Sequence, residues 1–257
     1  MKPGRPLLEV SGICKRFGSL VVLDGVDLHV NNAEIVGLIG PNGAGKTTLF
    51  NIINGFISPT SGKITFNGSD ITGLKVHQIA RRGVARTFQE LALCKESTVF
   101  ASIFSAFHLT YKSGVCSAFL RTRSARNEER VAKEKTKEII DFLGLGPYKD
   151  KLAGNLSSGY QKALTIAMAF ATTPKLLLLD EPVTTLSEDR VDMVMNLVAK
   201  VRDAGTAVVV IEHNMKAIMN YCDRVVVLAY GKKIAEDLPQ KIAENKEVIE
   251  AYLGEMG

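Results

Sequence analysis

The residues of this sequence best suited to chemistry form a glycine-rich loop. Its members fit the pattern G-x-x-x-x-G-K-[ST] and add one further threonine: Gly40, Pro41, Asn42, Gly43, Ala44, Gly45, Lys46, Thr47 and Thr48. In such a loop the backbone N–H groups wrap phosphate oxygens, and the next helix presents the positive end of its dipole. Lys46 is then placed to reach the β- and γ-phosphates, and the Thr47 hydroxyl to bind Mg²⁺. The loop predicts that the chain binds a nucleoside triphosphate.

A second group of residues supplies two adjacent carboxylates. Four leucines, Leu176–Leu179, precede Asp180 and Glu181, so a buried strand would deliver both carboxylates to one edge of a sheet. Asp180 suits an Mg²⁺ site, either as a direct ligand or as a group that hydrogen-bonds to one of the ligands. Glu181 suits a general base or a residue that orients water near the γ-phosphate. Together with the loop, the pair predicts a P-loop NTPase that hydrolyses its nucleotide.

The elements that must position these residues alternate between strand and helix. Glu34–Ile39 predicts a short buried strand that enters the loop, and Lys46–Asn54 predicts the helix that leaves it. Other predicted strands are Leu7–Lys15, Val21–Val30, Lys63–Asn67, Leu176–Leu179, Thr206–Glu212, Arg224–Ala229 and Lys232–Asp237, with a turn-like break at Arg16–Ser19. Other predicted helices are Val76–Arg82, Arg126–Phe142, Glu188–Asp203, Met215–Cys222 and a final one from about Pro239 to Leu253. This alternation predicts a mainly parallel sheet with crossover helices, interrupted by a helical stretch from about 91 to 171.

Composition limits the class of protein further. The chain has 257 residues, 46% of them hydrophobic, and a formal net charge of +5 that is spread along it, so we expect no nucleic-acid partner. Four cysteines stand far apart, which excludes a disulfide framework or zinc site: Cys14, Cys94, Cys116 and Cys222. From the N-terminal residues we expect no secretory signal, and the most apolar stretch, Ala163–Leu179, is interrupted by polar residues. We expect a cytoplasmic chain that reaches a membrane only through a partner.

Four further segments resemble the motifs of one family. They are Phe17 for the A-loop aromatic, Thr87-Phe88-Gln89 for the Q-loop, Leu156–Gln161 for the LSGGQ signature, and Ile211-Glu212-His213 for the switch-histidine segment. Residues from about 7 to 253 resemble the nucleotide-binding subunits of ABC transporters along nearly their whole length. The resemblance implies an α/β fold: a P-loop NTPase core with a mainly parallel sheet, an antiparallel β subdomain at the N-terminal side and an inserted helical subdomain. We expect one ABC ATPase domain over 1–257, with 1–90 and 172–257 as core and β subdomain and about 91–171 as helical subdomain.

The resemblance also implies roles for matching positions. Phe17 would stack on adenine, Gln89 would contact Mg²⁺ or the attacking water, and His213 would hydrogen-bond the γ-phosphate and orient Glu181. Ser157 and Gly159 would act in trans, covering the ATP bound to the loop of a second subunit. The working unit would therefore be a dimer of ATP-binding subunits, either identical or different.

Two segments depart from the family's pattern. The signature has Ser158 for the second-position glycine and Tyr160 for glutamine, and the helix after it has Met168 where arginine is common. The segment after Glu181 ends in Ser187 instead of the usual aspartate or asparagine. These changes concern what the chain lends to a partner's site.

Within the family, the chain looks most like the ATPase subunits of branched-chain or hydrophobic amino acid importers. The resemblance rests on Gly83–Gln89, Ser97–Val99, the basic stretch between Tyr111 and Arg130, Glu212–Lys216, Asp223–Glu236 and Glu250–Gly254. It implies permease subunits as partners, an extracytoplasmic solute-binding protein as an indirect one, and a peripheral place on the cytoplasmic face of the membrane.

Other interpretations stay open at this stage. Urea or amide importers and the lipopolysaccharide exporter share much of the pattern. A low-turnover nucleotide-sensing subunit or a soluble ABC ATPase acting on nucleic acid or ribosomes is a further alternative. The basic segment Lys112–Lys137 is either a solvated helical insertion or a surface that meets a partner or lipid headgroups.

Overall fold

The structure, a computed structural model, describes residues 5–87, 93–107 and 123–253. The strands are β1 Leu8–Phe17, β2 Leu20–Val30, β3 Ile35–Ile39, β4 Ser61–Phe66, β5 Ser69–Asp70, β6 Val84–Arg86, β7 Leu176–Asp180, β8 Ala207–Ile211, β9 Arg224–Ala229 and β10 Lys232–Asp237. The helices are α1 Lys46–Ile53, α2 Val76–Ala80, α3 Val99–Phe107, α4 Arg123–Phe142, α5 Ser158–Ala171, α6 Glu188–Asp203, α7 Met215–Tyr221, α8 Pro239–Ala243 and α9 Lys246–Leu253, with 3₁₀ turns at Gly146–Tyr148 and Ala153–Asn155.

A six-stranded sheet forms the centre of the fold, in the order β10-β9-β3-β8-β7-β6. Its strands run parallel except β10, which pairs with β9 in an antiparallel hairpin. The strands β3, β7 and β8 are buried along their whole length, as expected for parallel strands covered on both faces. The predicted α/β fold with a mainly parallel sheet is confirmed.

A second, antiparallel sheet has the order β2-β1-β4-β5 and confirms the predicted β subdomain. The break predicted at Arg16–Ser19 is narrower than expected, because β1 continues to Phe17, which pairs with Leu20. Only Gly18 and Ser19 form the turn, and the positive φ of 59° at Gly18 explains the glycine there.

Two apolar clusters lie on opposite faces of the central sheet. Along β7, Leu176 and Leu178 join one cluster while Leu177 and Leu179 join the other, which follows from the two-residue period of a strand. The second cluster includes residues of α3 and α5, such as Ile103 and Leu164. The helical segment is therefore packed directly against the sheet that carries the candidate site.

One predicted helix was wrong, and two short strands were not predicted, each for a local reason. The single C-terminal helix is two helices, because the Asn245 side chain accepts hydrogen bonds from the N–H groups of Glu247 and Val248 and starts a new helix. The strands β5 and β6 were not predicted, since segments of two and three residues are too short for a periodic pattern.

No helix in the described ranges is long and apolar enough to cross a membrane.

Candidate nucleotide site

Three of the predicted site segments converge at the carboxyl ends of three buried strands. In the sheet register, Leu38 of β3 pairs with Ile211 of β8, and Ile211 pairs in turn with Asp180 of β7. The glycine-rich loop follows β3, Glu181 follows β7 and His213 lies two residues beyond β8. Ligands of open parallel sheets bind at this edge, so the topology places all three segments where a nucleotide would lie.

The glycine-rich loop has a backbone that only glycine adopts readily. Gly40 has φ 145°, and a Cβ there would lie 1.9 Å from the carbonyl oxygen of Leu228. Gly45 has φ 100°, and its Cβ would lie 2.5 Å from the Leu23 side chain. Both positions therefore exclude a side chain by strain and by space.

The end of the loop presents donors for phosphate. The helix α1 begins after Gly45 with no side-chain cap, and the N-terminus of a helix is suited to bind an anion. Lys46 is buried and its ammonium donates to the carbonyl oxygens of Gly40 and Pro41, at 2.6 and 2.8 Å. Thr47 is exposed and Thr48 half-buried beside it. These groups fit a polyphosphate, which needs cationic and N–H donors.

Asp180 lies in a buried ion pair. Its Oδ2 accepts from the Arg86 guanidinium at 2.8 Å, and the two side chains are only 8% and 4% exposed. Arg86 also donates to the Asn51 side chain of α1 at 2.6 Å. One arginine therefore connects β6, β7 and the helix that follows the phosphate loop.

Glu181 and His213 lie close together at this edge. Glu181 Oε1 lies 3.5 Å from His213 Nε2, and Glu181 Oε2 accepts from the Thr184 hydroxyl at 3.2 Å. The backbone of Glu181 has a positive φ of 49°, and its N–H donates to the Ile211 carbonyl at 2.9 Å. A non-glycine residue in this left-handed conformation costs free energy. Such strained residues cluster at functional sites, where the surrounding structure fixes the orientation of the side chain.

Sequence reasoning gave no role to several residues that line this edge. Asn51 lies in no recognised motif, and Arg86 and Thr184 lie in segments that carry the resemblance but were given no chemical role. Glu212 is 1% exposed and follows a run of buried apolar residues, which is a signal that the sequence did offer. Burial raises the pKa of the Glu212 carboxyl, the nearby Glu181 charge raises it further, and backbone N–H donors lower it in part.

The other predicted site residues lie in different parts of the chain. Phe17 is half exposed at the end of β1, with the Lys15 ammonium 4.8 Å from its ring centroid. Ser157 is exposed at the N-cap of α5, and Gly159 is buried where a Cβ would lie 3.2 Å from Arg190 and Met193. Gln89 lies outside the described residues.

Tyr160, which replaces the glutamine of the family's signature, packs against Tyr148 and Arg190. Its ring centroid lies 4.1 Å from that of Tyr148, and the Arg190 guanidinium lies 5.1 Å away. A hydrogen bond with Tyr148 is the main cause that lowers the pKa of Tyr160. Tyr160 therefore joins the signature helix α5 to the start of α6.

Comparison with known proteins identifies the family to which the chain belongs. Residues 23–184 match the model of the ABC transporter family, and residues 232–257 match that of the branched-chain amino acid ATP-binding cassette transporter. The chain therefore belongs to the ABC transporter family, as one of its ATP-hydrolysing cassettes.

Within the family, it is similar to two branched-chain amino acid transport ATP-binding proteins. It is 41% identical to BraF of Pseudomonas aeruginosa over 98% of this chain and 99% of that protein. It is 40% identical to LivG of Escherichia coli, with the same coverage. The crystal structure of the ADP conformation of MJ1267, an ATP-binding cassette of an ABC transporter, superposes with a TM-score of 0.85 at 31% identity, covering 97% of this chain and 99% of that one.

Proposed function

We propose that this chain is the ATPase subunit that energises a branched-chain amino acid importer. Its ATPase function is supported above all by the placement of Lys46, Asp180 and the Glu181–His213 pair at one edge of the sheet. The solute class is supported by the 41% identity to BraF over nearly the full length of both chains.

The phosphate loop binds the nucleotide in this proposal. Its N–H groups and Lys46 hold the β- and γ-phosphates, and Phe17 stacks on the adenine. Thr47, Asp180 and Gln89 supply oxygen ligands of the kind that Mg²⁺ prefers. When bound, Mg²⁺ neutralises charge on the phosphates.

Glu181 acts on the attacking water. Its carboxylate accepts a proton as the water oxygen approaches the γ-phosphorus, and the bond to the leaving ADP oxygen breaks. His213 donates to the γ-phosphate and holds Glu181 in place from 3.5 Å. The Thr184 hydroxyl on the other carboxylate oxygen limits rotation of the same side chain.

The assembly extends beyond this chain. Ser157 and Gly159 cover the ATP of a second ATP-binding subunit, identical or different, so the closed form is a dimer. Closure drives two permease subunits at the cytoplasmic face of the membrane, and an extracytoplasmic binding protein delivers the solute. We also infer that 1–90 with 172–257 forms the nucleotide-binding core and the β subdomain, and that about 91–171 forms the helical subdomain with the signature motif.

The proposal is tested by ATP hydrolysis in the complete transporter. The chain is assembled in lipid vesicles with its proposed permease and ATPase partner subunits, and the binding protein is added with leucine, isoleucine or valine. We expect these solutes to raise ATP hydrolysis and to enter the vesicles, and Glu181→Gln to abolish both. Stimulation by urea or short amides instead would contradict the solute class. A complete transporter without ATP turnover would favour a nucleotide-sensing subunit.

A further inference from the structure

The buried carboxylate of Glu212 is hydrogen-bonded to the segments that carry Glu181 and His213. The proposed mechanism gives Glu212 no role. This residue directly follows β8, immediately precedes His213, and is 1% exposed. We propose that Glu212 is a positioning residue that fixes Glu181 and His213 relative to each other. The inference rests on the proposed roles of those two residues.

The two carboxylate oxygens of Glu212 hold two different segments. Oε1 accepts the N–H of Val183 at 2.6 Å, and Oε2 accepts the N–H of His213 at 3.1 Å. Val183 lies two residues after Glu181, and the following Thr184 returns to the Glu181 carboxylate. One side chain therefore joins the backbone that carries the carboxylate to the backbone that carries the histidine.

The backbone on the Glu181 side needs such support. Glu181 has a positive φ of 49°, a conformation that persists only where the surroundings determine it. Its own N–H is anchored to Ile211 of β8, the strand that also leads to Glu212. The anchor and the Glu212 bridge hold the turn at both of its ends.

The chemistry of the side chain is specific to this task. Burying a carboxylate is unfavourable unless its oxygens are hydrogen-bonded, so an apolar residue would serve better if this position only filled space. A glutamine of the same size has one acceptor oxygen and would turn its NH₂ group towards one of the two N–H donors. Only a carboxylate accepts from both segments at once.

The test compares Glu212→Gln and Glu212→Asp with the wild-type chain in the complete transporter. We expect Glu212→Gln to lower kcat by about 10- to 100-fold, because small misplacements of reacting groups have effects of this size. The KM for ATP stays within about threefold, since the phosphate loop is untouched. Glu212→Asp keeps both acceptor oxygens on a shorter stem and recovers part of the lost kcat.

Stability separates positioning from a merely structural role. Glutamine is isosteric and carries no charge to bury, so Glu212→Gln should unfold at a midpoint no lower than that of Glu212→Asp, although its kcat is lower. Glu34→Gln is the matched control: Glu34 accepts the N–H of Asn31 at 2.7 Å and pairs with Arg224, at the amino end of β3 far from the loop. We expect that control to alter stability and leave kcat unchanged.

Two results would overturn the inference. One is a kcat of Glu212→Gln within about twofold of wild type. The other is a loss of kcat that follows the loss of stability across the Glu212 variants. Glu181→Gln is measured in parallel: if it hydrolyses ATP normally, the catalytic assignment itself fails. If it is inactive while Glu212→Gln is normal, only the positioning role fails.

Discussion

The buried pair between Arg86 and Asp180 makes a quantitative prediction about the nucleotide-free chain. The side chains are 4% and 8% exposed, with 2.8 Å between nitrogen and oxygen. Replacing Arg86 by methionine keeps an unbranched apolar stem of similar reach but leaves the Asp180 carboxylate without this counter-charge. Breaking a buried ion pair from one side costs about 3–5 kcal/mol, and we expect a loss of this size in the free energy of unfolding.

The loss can be read from urea unfolding without nucleotide and from thermal unfolding. For a chain of this size, about 3–5 kcal/mol corresponds to a fall of roughly 6–20 °C in Tm. The control is Lys63→Met, which breaks the Lys63–Asp70 pair whose side chains are 62% and 53% exposed. An exposed pair contributes at most about 1 kcal/mol, so the control should change little.

Addition of Mg²⁺ and ATP provides a second arm of this experiment. If Asp180 meets Mg²⁺ as proposed, the cation replaces part of the charge that Arg86 supplied, and the stability gap to wild type should narrow. A loss in Arg86→Met no larger than in Lys63→Met would refute the reasoning, because the pair would then contribute no more than a solvated one.

Three further predictions follow from other parts of the structure. Tyr160→Gln, which restores the family's common residue, should lower the free energy of unfolding by about 1–2.5 kcal/mol in urea titration, because an aromatic pair and a cation–π contact are lost. Burial raises the pKa of the Cys222 thiol to about 12, so thiol reagents near neutral pH should label exposed Cys94 in the native chain and Cys222 only after unfolding. Burial opposes ionisation of Glu236, but its basic neighbours outweigh that effect and lower the pKa of the carboxyl. The stability that the ionised carboxylate contributes is therefore present above the ordinary pKa of 4.5 and is lost as the pH falls below it. Glu236→Gln should therefore reduce stability at pH 7 and flatten its decline in acid, measured by Tm against pH.

Much of the fold could be predicted because pattern and topology agree. The central strands are continuous apolar runs, the helices between them are periodic, and parallel strands leave one edge for ligands. Lys46 and Asp180 could be located for the same reason: Lys46 directly follows a loop of recognisable composition, and Asp180 is the last residue of a buried apolar strand. Once β3, β8 and β7 are known to be neighbours in the sheet, it follows that the two residues lie close together.

The residues that were missed depend on tertiary pairing. Arg86 lies in a strand of three residues, and only the packing of β6 beside β7 brings its guanidinium to Asp180. Glu212 looks like the polar end of a buried strand until the turn after Glu181 presents the Val183 N–H to it. Asn245 divides the last helix through its own side chain, an interaction that a helical period does not show.

The most direct measurement of the central claim is ATP binding and hydrolysis by Glu181→Gln in the complete transporter. The account predicts that this variant retains bound ATP and loses turnover by about 10²- to 10⁴-fold, the range expected when a general base is removed. Wild-type hydrolysis by Glu181→Gln would contradict the assignment of Glu181 and with it the proposed mechanism.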